Sequence, residues 1–365
     1  MQQTEIARRL HISQQTVSRV LRVPHLVKEK TRQRVLDLMH ESSYEPNELA
    51  NRLKGGGLEI AGLSLQCIRH SYFPEIIDGA EQAIGQRGWQ LAIVSEKFGG
   101  PKLQVEHLTA MRRLRFGGIL CAPFWENIPL YGELRRIGFP LVFVDQYLAN
   151  FDGDYVATDN LLGGRMAAEH LLGMGHQRFA MFRADTVSTS MRDRQEGFVR
   201  ALAERGFEVE SRHDLKCGFS VEAGKESFAK LWSLPVSERP TALFCDNDPG
   251  AAGALLEALS RGVKIPDELS VVGYAGYDWT EYLPVPLTTV AQPGHEIGKT
   301  AVKLLFEIID GSRRGEAPAH IELTPTLVVR KSSGPAPSSS PSRSSRTTSR
   351  TKNRLRNANL QEARP

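Results

Sequence analysis

TEIARRLHISQQTVSRVL, residues Thr4–Leu21, decides how the start of this chain is read. Ile6, Ala7 and Leu10 fall at i, i+1 and i+4, so one side of a first helix is apolar. Thr4 stands where a cap would open that helix, and Ser13 stands likewise before a second one. The second helix carries Val17, Val20 and Leu21 on its inner side and Gln14, Gln15, Ser18 and Arg19 on its outer side. A helix-turn-helix lays such a helix in the DNA major groove, with its N-terminal residues against base edges. Gln offers two hydrogen bonds to adenine and Arg two to guanine; Thr16 and Ser18 suit phosphate or base contacts. The polar side chains gather where a groove would lie, which favours a DNA-binding head over a solvated helical hairpin. A third helix, about Lys28 to Ser42, brings Val35, Leu38 and Met39 to close a three-helix core.

After this head, at residues 1–45, come a short helical pattern, Glu48 to Lys54, and three glycines, Gly55 to Gly57. So short a helix is marginal alone in water, and the glycines let the chain swivel. Residues 46–57 are therefore expected to be a hinge helix and linker. The simpler reading is a plain tether.

The chain has 365 residues, room for two or three domains. Its net charge of +4 is unevenly spread. Residues 1–54 carry ten basic and six acidic side chains, and residues 331–365 carry eight and one, so the middle is acidic. Basic ends around an acidic body fit a nucleic-acid binder with a separate sensing module. Residues 331–365 are rich in Ser, Pro and Arg and nearly lack large apolar residues, so a disordered basic tail is expected there.

Cys67, Cys121, Cys217 and Cys245 are too scattered for a metal site and read as free thiols of a reducing cytoplasm. The histidines show no metal spacing either, and no metal or cofactor is expected. No apolar run approaches a membrane span, and no secretory leader is seen. The chain lacks GxSxG, P-loop, strand-linked GxGxxG and HExxH motifs, so no enzyme is indicated.

From Leu58 to about Arg330, short apolar runs alternate with amphipathic helices. Ile60–Leu65, Gln90–Val94, Gly118–Ala122 and Leu141–Val144 read as strands, and the cycle restarts after Asn160. Alternation of this kind means parallel sheets with right-handed crossovers. Two runs of roughly a hundred residues imply two similar lobes in an α/β body. Polar residues stand at three strand or helix ends: Asp145 closing LVFVDQ, Arg194 opening a helix in MRDRQEGF, and Asn247 with Asp248 closing LFCDND. Ligands of α/β sheets sit beyond the carboxyl ends of strands, and Arg grips two oxygens at once.

Over residues 1–330 the sequence resembles the lactose-repressor and galactose-repressor family of transcription regulators. The likeness rests on SQQTVSRVL (Ser13–Leu21), KTRQRV (Lys30–Val35), and Tyr44, Pro46 and Asn47 ahead of Leu49–Leu53. Fewer residues precede the first helix than is usual in the family. The resemblance implies a homodimer on a near-palindromic double-stranded operator. Hinge helices would pair in the minor groove with Leu53 as the wedge, Ala50 beneath it, and Asn47 and Lys54 nearby.

It also implies a body like periplasmic sugar-binding proteins, its lobes joined by crossovers near 156–159, 287–292 and 321–326. Lobe one would be about 58–157 plus 291–322, and lobe two about 158–288 plus 324–330. A small effector, a carbohydrate or sugar acid, would meet Asp145, Arg194 and Asn247, with Phe73 and Phe219 against its apolar face; Asp248 would cap the following helix. One departure stands out: GYAGYDW puts Ala275 where the family commonly has an aspartate. GYAGYD is somewhat similar to the gluconate-regulator branch, and the lost carboxylate would suit a sugar acid. The rival readings are a ligand-binding protein and an enzyme of sugar metabolism, each using the same body.

Overall fold

The computed structural model describes residues 3–42, 58–68, 72–184 and 188–337. The expected hinge residues Asn47, Ala50, Leu53 and Lys54 lie outside the described residues, as does the sequence beyond Pro337.

The head folds as helices α1 (Gln3–Arg9), α2 (Gln14–Arg22) and α3 (Glu29–Glu41), with a 3-10 turn at Pro24–Leu26. Ser13 caps α2, its Oγ accepting the Thr16 amide at 3.1 Å. Thr4 does not open α1 as expected; it lies within the helix, exposed. Ile6, Ala7, Val17, Val20, Val35 and Met39 form the core, with Leu10, Leu21 and Leu38 packed around it. Each fully buried Val or Ile there contributes roughly 1.5–3 kcal/mol, which holds so small a unit together.

The remainder divides into two compact units. The chain passes from the first to the second after Ala157, returns after Pro293, and crosses again after Leu323. The first unit holds β1 (Leu58–Leu65), β2 (Gln90–Ser95), β3 (Phe116–Cys121), β4 (Leu141–Asp145), β5 (Tyr155–Thr158) and β11 (His320–Leu323). Its sheet runs β11-β5-β4-β3-β1-β2. Helices α4 (Tyr72–Gly85), α5 (Gly100–Arg113), α6 (Ile128–Arg136) and α11 (Gly294–Ile309) belong to it. The second unit's sheet runs β12-β10-β9-β8-β6-β7, from β6 (Phe179–Arg183), β7 (Val209–Lys216), β8 (Ala242–Cys245), β9 (Ser270–Ala275), β10 (Thr288–Ala291) and β12 (Thr326–Val328). Its helices are α7 (Asn160–Gly173), α8 (Thr189–Glu204), α9 (Val221–Trp232) and α10 (Asp248–Ser260).

In each unit strand order reverses beside the first strand: β1 lies between β2 and β3, and β6 between β7 and β8. Such reversal points open a crevice at the carboxyl ends of the strands. The central strands β8 and β9 are buried along their whole length, as near-continuous apolar runs require.

Two expectations need correction. Arg194 does not open a helix: α8 starts at Thr189, so Arg194 sits in its second turn. Nor does the body end at Arg330. Ser332 is wholly buried, its Oγ donating to the Val271 carbonyl at 2.6 Å and accepting the Thr288 amide at 2.8 Å. The Val271 amide donates to the Ser332 carbonyl at 2.7 Å, and the Ala336 amide to Met174 at 2.9 Å. Residues 331–336 are thus a polar strap on the second unit. Its small serines satisfy backbone groups where β9 and β10 start, a task that low hydrophobicity does not reveal.

Candidate functional site

On α2, Ser13, Gln14, Gln15 and Arg19 are exposed, while Thr16 and Ser18 are half-buried. The Ser13 and Thr16 hydroxyls are hydrogen-bonded at 2.8 Å, so both are engaged at the helix start. The outer face of α2 therefore presents the carboxamides of Gln14 and Gln15 and the guanidinium of Arg19. This is the hydrogen-bonding set that reads adenine and guanine edges.

The second unit gathers its polar residues at the carboxyl ends of its strands. Gly164 and Gly197 bring α7 and α8 together: a Cβ on either would collide with a backbone carbonyl of the other helix, Arg194 O or Leu161 O. That close approach sets Arg194 over the start of α7. Only 2% exposed, Arg194 donates from Nε to Asn160 Oδ1 at 2.8 Å. Its Nη1 donates to the Asp246 carbonyl at 3.1 Å and its Nη2 to Gln292 Oε1 at 2.8 Å. The guanidinium also lies 4.0 Å from the centre of the Tyr274 ring, a cation–π contact. Tyr274 in turn donates to Asn160 Oδ1 at 3.0 Å.

Asn247, buried at the end of β8, is the cap of α10; its Oδ1 accepts the Gly250 amide at 2.8 Å. The expectation that Asp248 would be the cap is thereby corrected. Asp248 instead accepts the Gly276 and Tyr277 amides at 2.8 and 2.9 Å and the Thr289 hydroxyl at 2.6 Å. Asp246 accepts the Ala184 amide at 2.7 Å, Gln195 Nε2 at 2.8 Å and Asn247 Nδ2 at 2.9 Å. Burial pushes both carboxyl groups above the ordinary aspartate range, while these hydrogen bonds and Arg194 pull them back. Ala275 ends β9 with φ +129°. Its methyl group stands in backbone space that usually belongs to glycine.

Of the other expected effector residues, Phe219 is 41% exposed just ahead of α9 in the second unit. In the first unit, Asp145 closes β4 half-buried with φ +73°, a left-handed conformation that Asp tolerates. Phe73 is buried in the first turn of α4, its ring 5.9 Å from that of Tyr72. Sequence reasoning brought Arg194 and Asn247 to one place and missed Asn160, Asp246, Tyr274 and Gln292. Gln292 follows β10 at a lobe crossover, and that position was its only signal.

The first unit holds another polar cluster that the sequence did not announce. Glu96, wholly buried, meets Ser64 Oγ and His107 Nδ1, each at 3.0 Å. Gln104 donates to Ser64 Oγ at 3.0 Å. All four cysteines are free and buried. Among the described residues no group of three or more His, Cys, Asp or Glu is placed to hold a metal ion. None of their helices is long and apolar enough to cross a membrane.

Known proteins match both parts of the chain. A family model for bacterial regulatory proteins of the lacI family matches residues 4–47, and one for a periplasmic binding protein-like domain matches residues 168–333. The transcriptional regulator DegA of Bacillus subtilis is 32% identical over 334 residues, covering 91% of this chain and 97% of DegA. The transcriptional repressor PurR of Mannheimia succiniciproducens is 30% identical over 331 residues, covering 90% and 97%. Among solved structures, a lac repressor dimer bound to operator and the anti-inducer ONPF superposes with TM-score 0.81 at 23% identity, covering 92% of this chain and 99% of that one. A LacI family regulator from Enterococcus faecium with bound ribose gives TM-score 0.67 at 26% identity, covering 76% and 99%. With a helix-turn-helix head, two parallel-sheet units and relatives alike over nine-tenths of its length, this chain belongs to the lacI family of bacterial regulatory proteins.

Proposed function

We propose that this chain is a dimeric transcriptional repressor whose grip on a near-palindromic operator is tuned by a small carbohydrate-like metabolite. The observation that carries the reading is the outer face of α2, where Gln14, Gln15 and Arg19 are exposed while Val17 and Val20 are buried in the head's core. Bases would be read by Gln14, Gln15 and Arg19, with Thr4, Ser13, Thr16 and Ser18 on or near the phosphates. The hinge positions Asn47, Ala50, Leu53 and Lys54 would add minor-groove contacts. The metabolite would be held in the second unit by Arg194 and Asn247 with Phe219, and in the first by Asp145 and Phe73.

A ligand shifts operator affinity only by its differential affinity for two states of the body, typically ~1–3 kcal/mol. Such a regulator works in the bacterial cytoplasm, and the reading assigns it no catalysis and no cofactor.

Selection of duplexes from a random pool, followed by anisotropy titrations at several salt concentrations, tests the reading. One near-palindromic consensus is expected, with specific binding at least ~10³-fold tighter than to random duplex. Arg19→Ala should relax the preference at one base pair per half-site, costing ~1–3 kcal/mol there. An unchanged consensus for that variant removes Arg19 from base reading. Absence of any consensus for the parent protein removes the function.

A further inference from the structure

We propose that the first unit carries a small-molecule site of its own, for a compact aromatic carboxylate, in an apolar pocket at the amino ends of its strands with Arg135 at the mouth. The inference is independent of operator recognition and of the metabolite site proposed above.

The pocket has a volume of about 150 Å³ and is walled by Phe139, Leu141, Phe143, Phe151 and Ile308. Leu141 opens β4, Phe139 follows the end of α6, and Ile308 stands in the last turn of α11. Phe151 comes from the loop before β5. Strand β4 runs parallel to both of its neighbours, β3 and β5, so the pocket lies at the amino end of the sheet. Asp145 closes the same strand at its other end, about 13 Å away at ~3.3 Å per residue. The pocket is therefore separate from the strand-end crevice where Asp145 stands.

The walls select a flat, apolar guest. The rings of Phe143 and Phe151 lie 5.7 Å apart with their planes tilted by 58°, which offers edges and faces to a further ring. A cavity of this volume lined by Leu, Ile and Phe admits one benzene ring. A sugar hydroxyl would lose its water there and find no partner on these side chains. The mouth selects the charge. Arg135 is exposed, its Nη1 donates to the Asp152 carbonyl, and among the described residues no acid is paired with it. The acids close by are engaged elsewhere. Asp152 meets His320 at 3.1 Å. Asp154, which also lines the pocket, accepts the Ala319 amide at 2.8 Å and lies 4.0 Å from Arg313. A carboxylate on the rim of a bound ring would meet the remaining N–H groups of Arg135.

The test uses the full-length protein with benzoate, benzamide and acetate as probes, followed by saturation-transfer NMR and calorimetric titration. Benzoate should bind with a dissociation constant of about 1 mM or below, the affinity that burying one ring supplies. Benzamide has the same size without the charge and should bind at least about threefold weaker, as loss of an exposed ion pair requires. Acetate has the charge without the ring and should show no binding at the same concentrations. Ile308→Trp fills the cavity and should abolish benzoate binding. Arg135→Gln should leave benzamide unchanged and bring benzoate down to its level.

No benzoate signal at about ten times that concentration overturns the inference. So does benzamide or acetate binding as tightly as benzoate. An Ile308→Trp protein that melts like its parent and keeps the parent's benzoate affinity overturns it too, because the ring would then sit elsewhere. Should Ile308→Trp fold poorly, the exposed Arg135 decides: an unchanged benzoate-to-benzamide ratio in Arg135→Gln removes the site.

Discussion

Ser332→Ala isolates what the polar strap does for the second unit. The wild-type Oγ is wholly buried between two strand starts, accepting the Thr288 amide at 2.8 Å and donating to the Val271 carbonyl at 2.6 Å. Alanine keeps the Cβ and removes both bonds. An orphaned buried N–H costs about 1–3 kcal/mol, and the lost bond to the carbonyl about 0.5–1.5 kcal/mol more. The sum is about 2–4 kcal/mol. For a unit of this size each kcal/mol moves Tm by about 2–4 °C, so the second unit should melt about 5–15 °C lower. Differential scanning calorimetry of the full-length chain reads this directly, and a chain ending at Pro337 is the control expected to melt like the parent. The effect should reach the polar cluster. Thr288 precedes Thr289, whose hydroxyl donates to Asp248 at 2.6 Å, and the same strand leads to Gln292 beside Arg194. A Ser332→Ala protein melting within 2 °C of its parent would refute the claim that the strap is structural.

Three further outcomes are expected. His176 is buried, with Nδ1 at 3.0 Å from the Thr241 hydroxyl and Nε2 at 3.0 Å from the Gly334 carbonyl, and burial holds its pKa below the ordinary histidine value. The unfolded chain then binds more protons between the two values, so stability should be full above about pH 6.5 and fall as pH drops through that window; His176→Gln should flatten this part of a urea-midpoint profile against pH. Ala275→Gly should stabilise the second unit by about 1 kcal/mol, because φ +129° strains any residue with a Cβ, and an unchanged or lower urea midpoint would contradict this. Ser13→Ala should cost the head about 1 kcal/mol by removing the cap of α2, which the low-temperature part of a circular-dichroism melt would report.

Much of the architecture was legible because two periodicities carry it. In the head, Ile6, Val17, Val20, Val35 and Met39 obey helical spacing, and all are buried. In the body, apolar runs such as LVFVD and ALFC mark strands covered on both sides, and they stand where sequence placed them. Strand β7 went unseen because VESRHDLK pairs only with β6 at the sheet's edge and keeps charged residues along its length. Helix α9 after it hid for a related reason. Only Gly224, Ser227, Phe228 and Leu231 are buried there, a stripe half made of small or polar residues. The strap at 331–336 followed the same logic, since its serines are held by hydrogen bonds to backbone and not by apolar area.

The polar cluster was legible by position and illegible by role. Strand ends named Arg194 and Asn247, because a ligand crevice forms where parallel strands finish. What Arg194 does there depends on partners 34, 52 and 98 residues away in the chain: Asn160, Asp246 and Gln292. No local pattern reports such pairings. Seen alone, the arginine is a cation that would grip an acid; seen with its partners, it ties the start of α7 to the ends of β8 and β10. That changes what its removal means. Arg194→Ala would take one of two donors from Asn160 Oδ1 and from Gln292 Oε1, leaving Tyr274 and Thr158 on them, and would remove the cation beside two buried carboxyl groups, so lost ligand response in that variant could not be separated from a loosened unit.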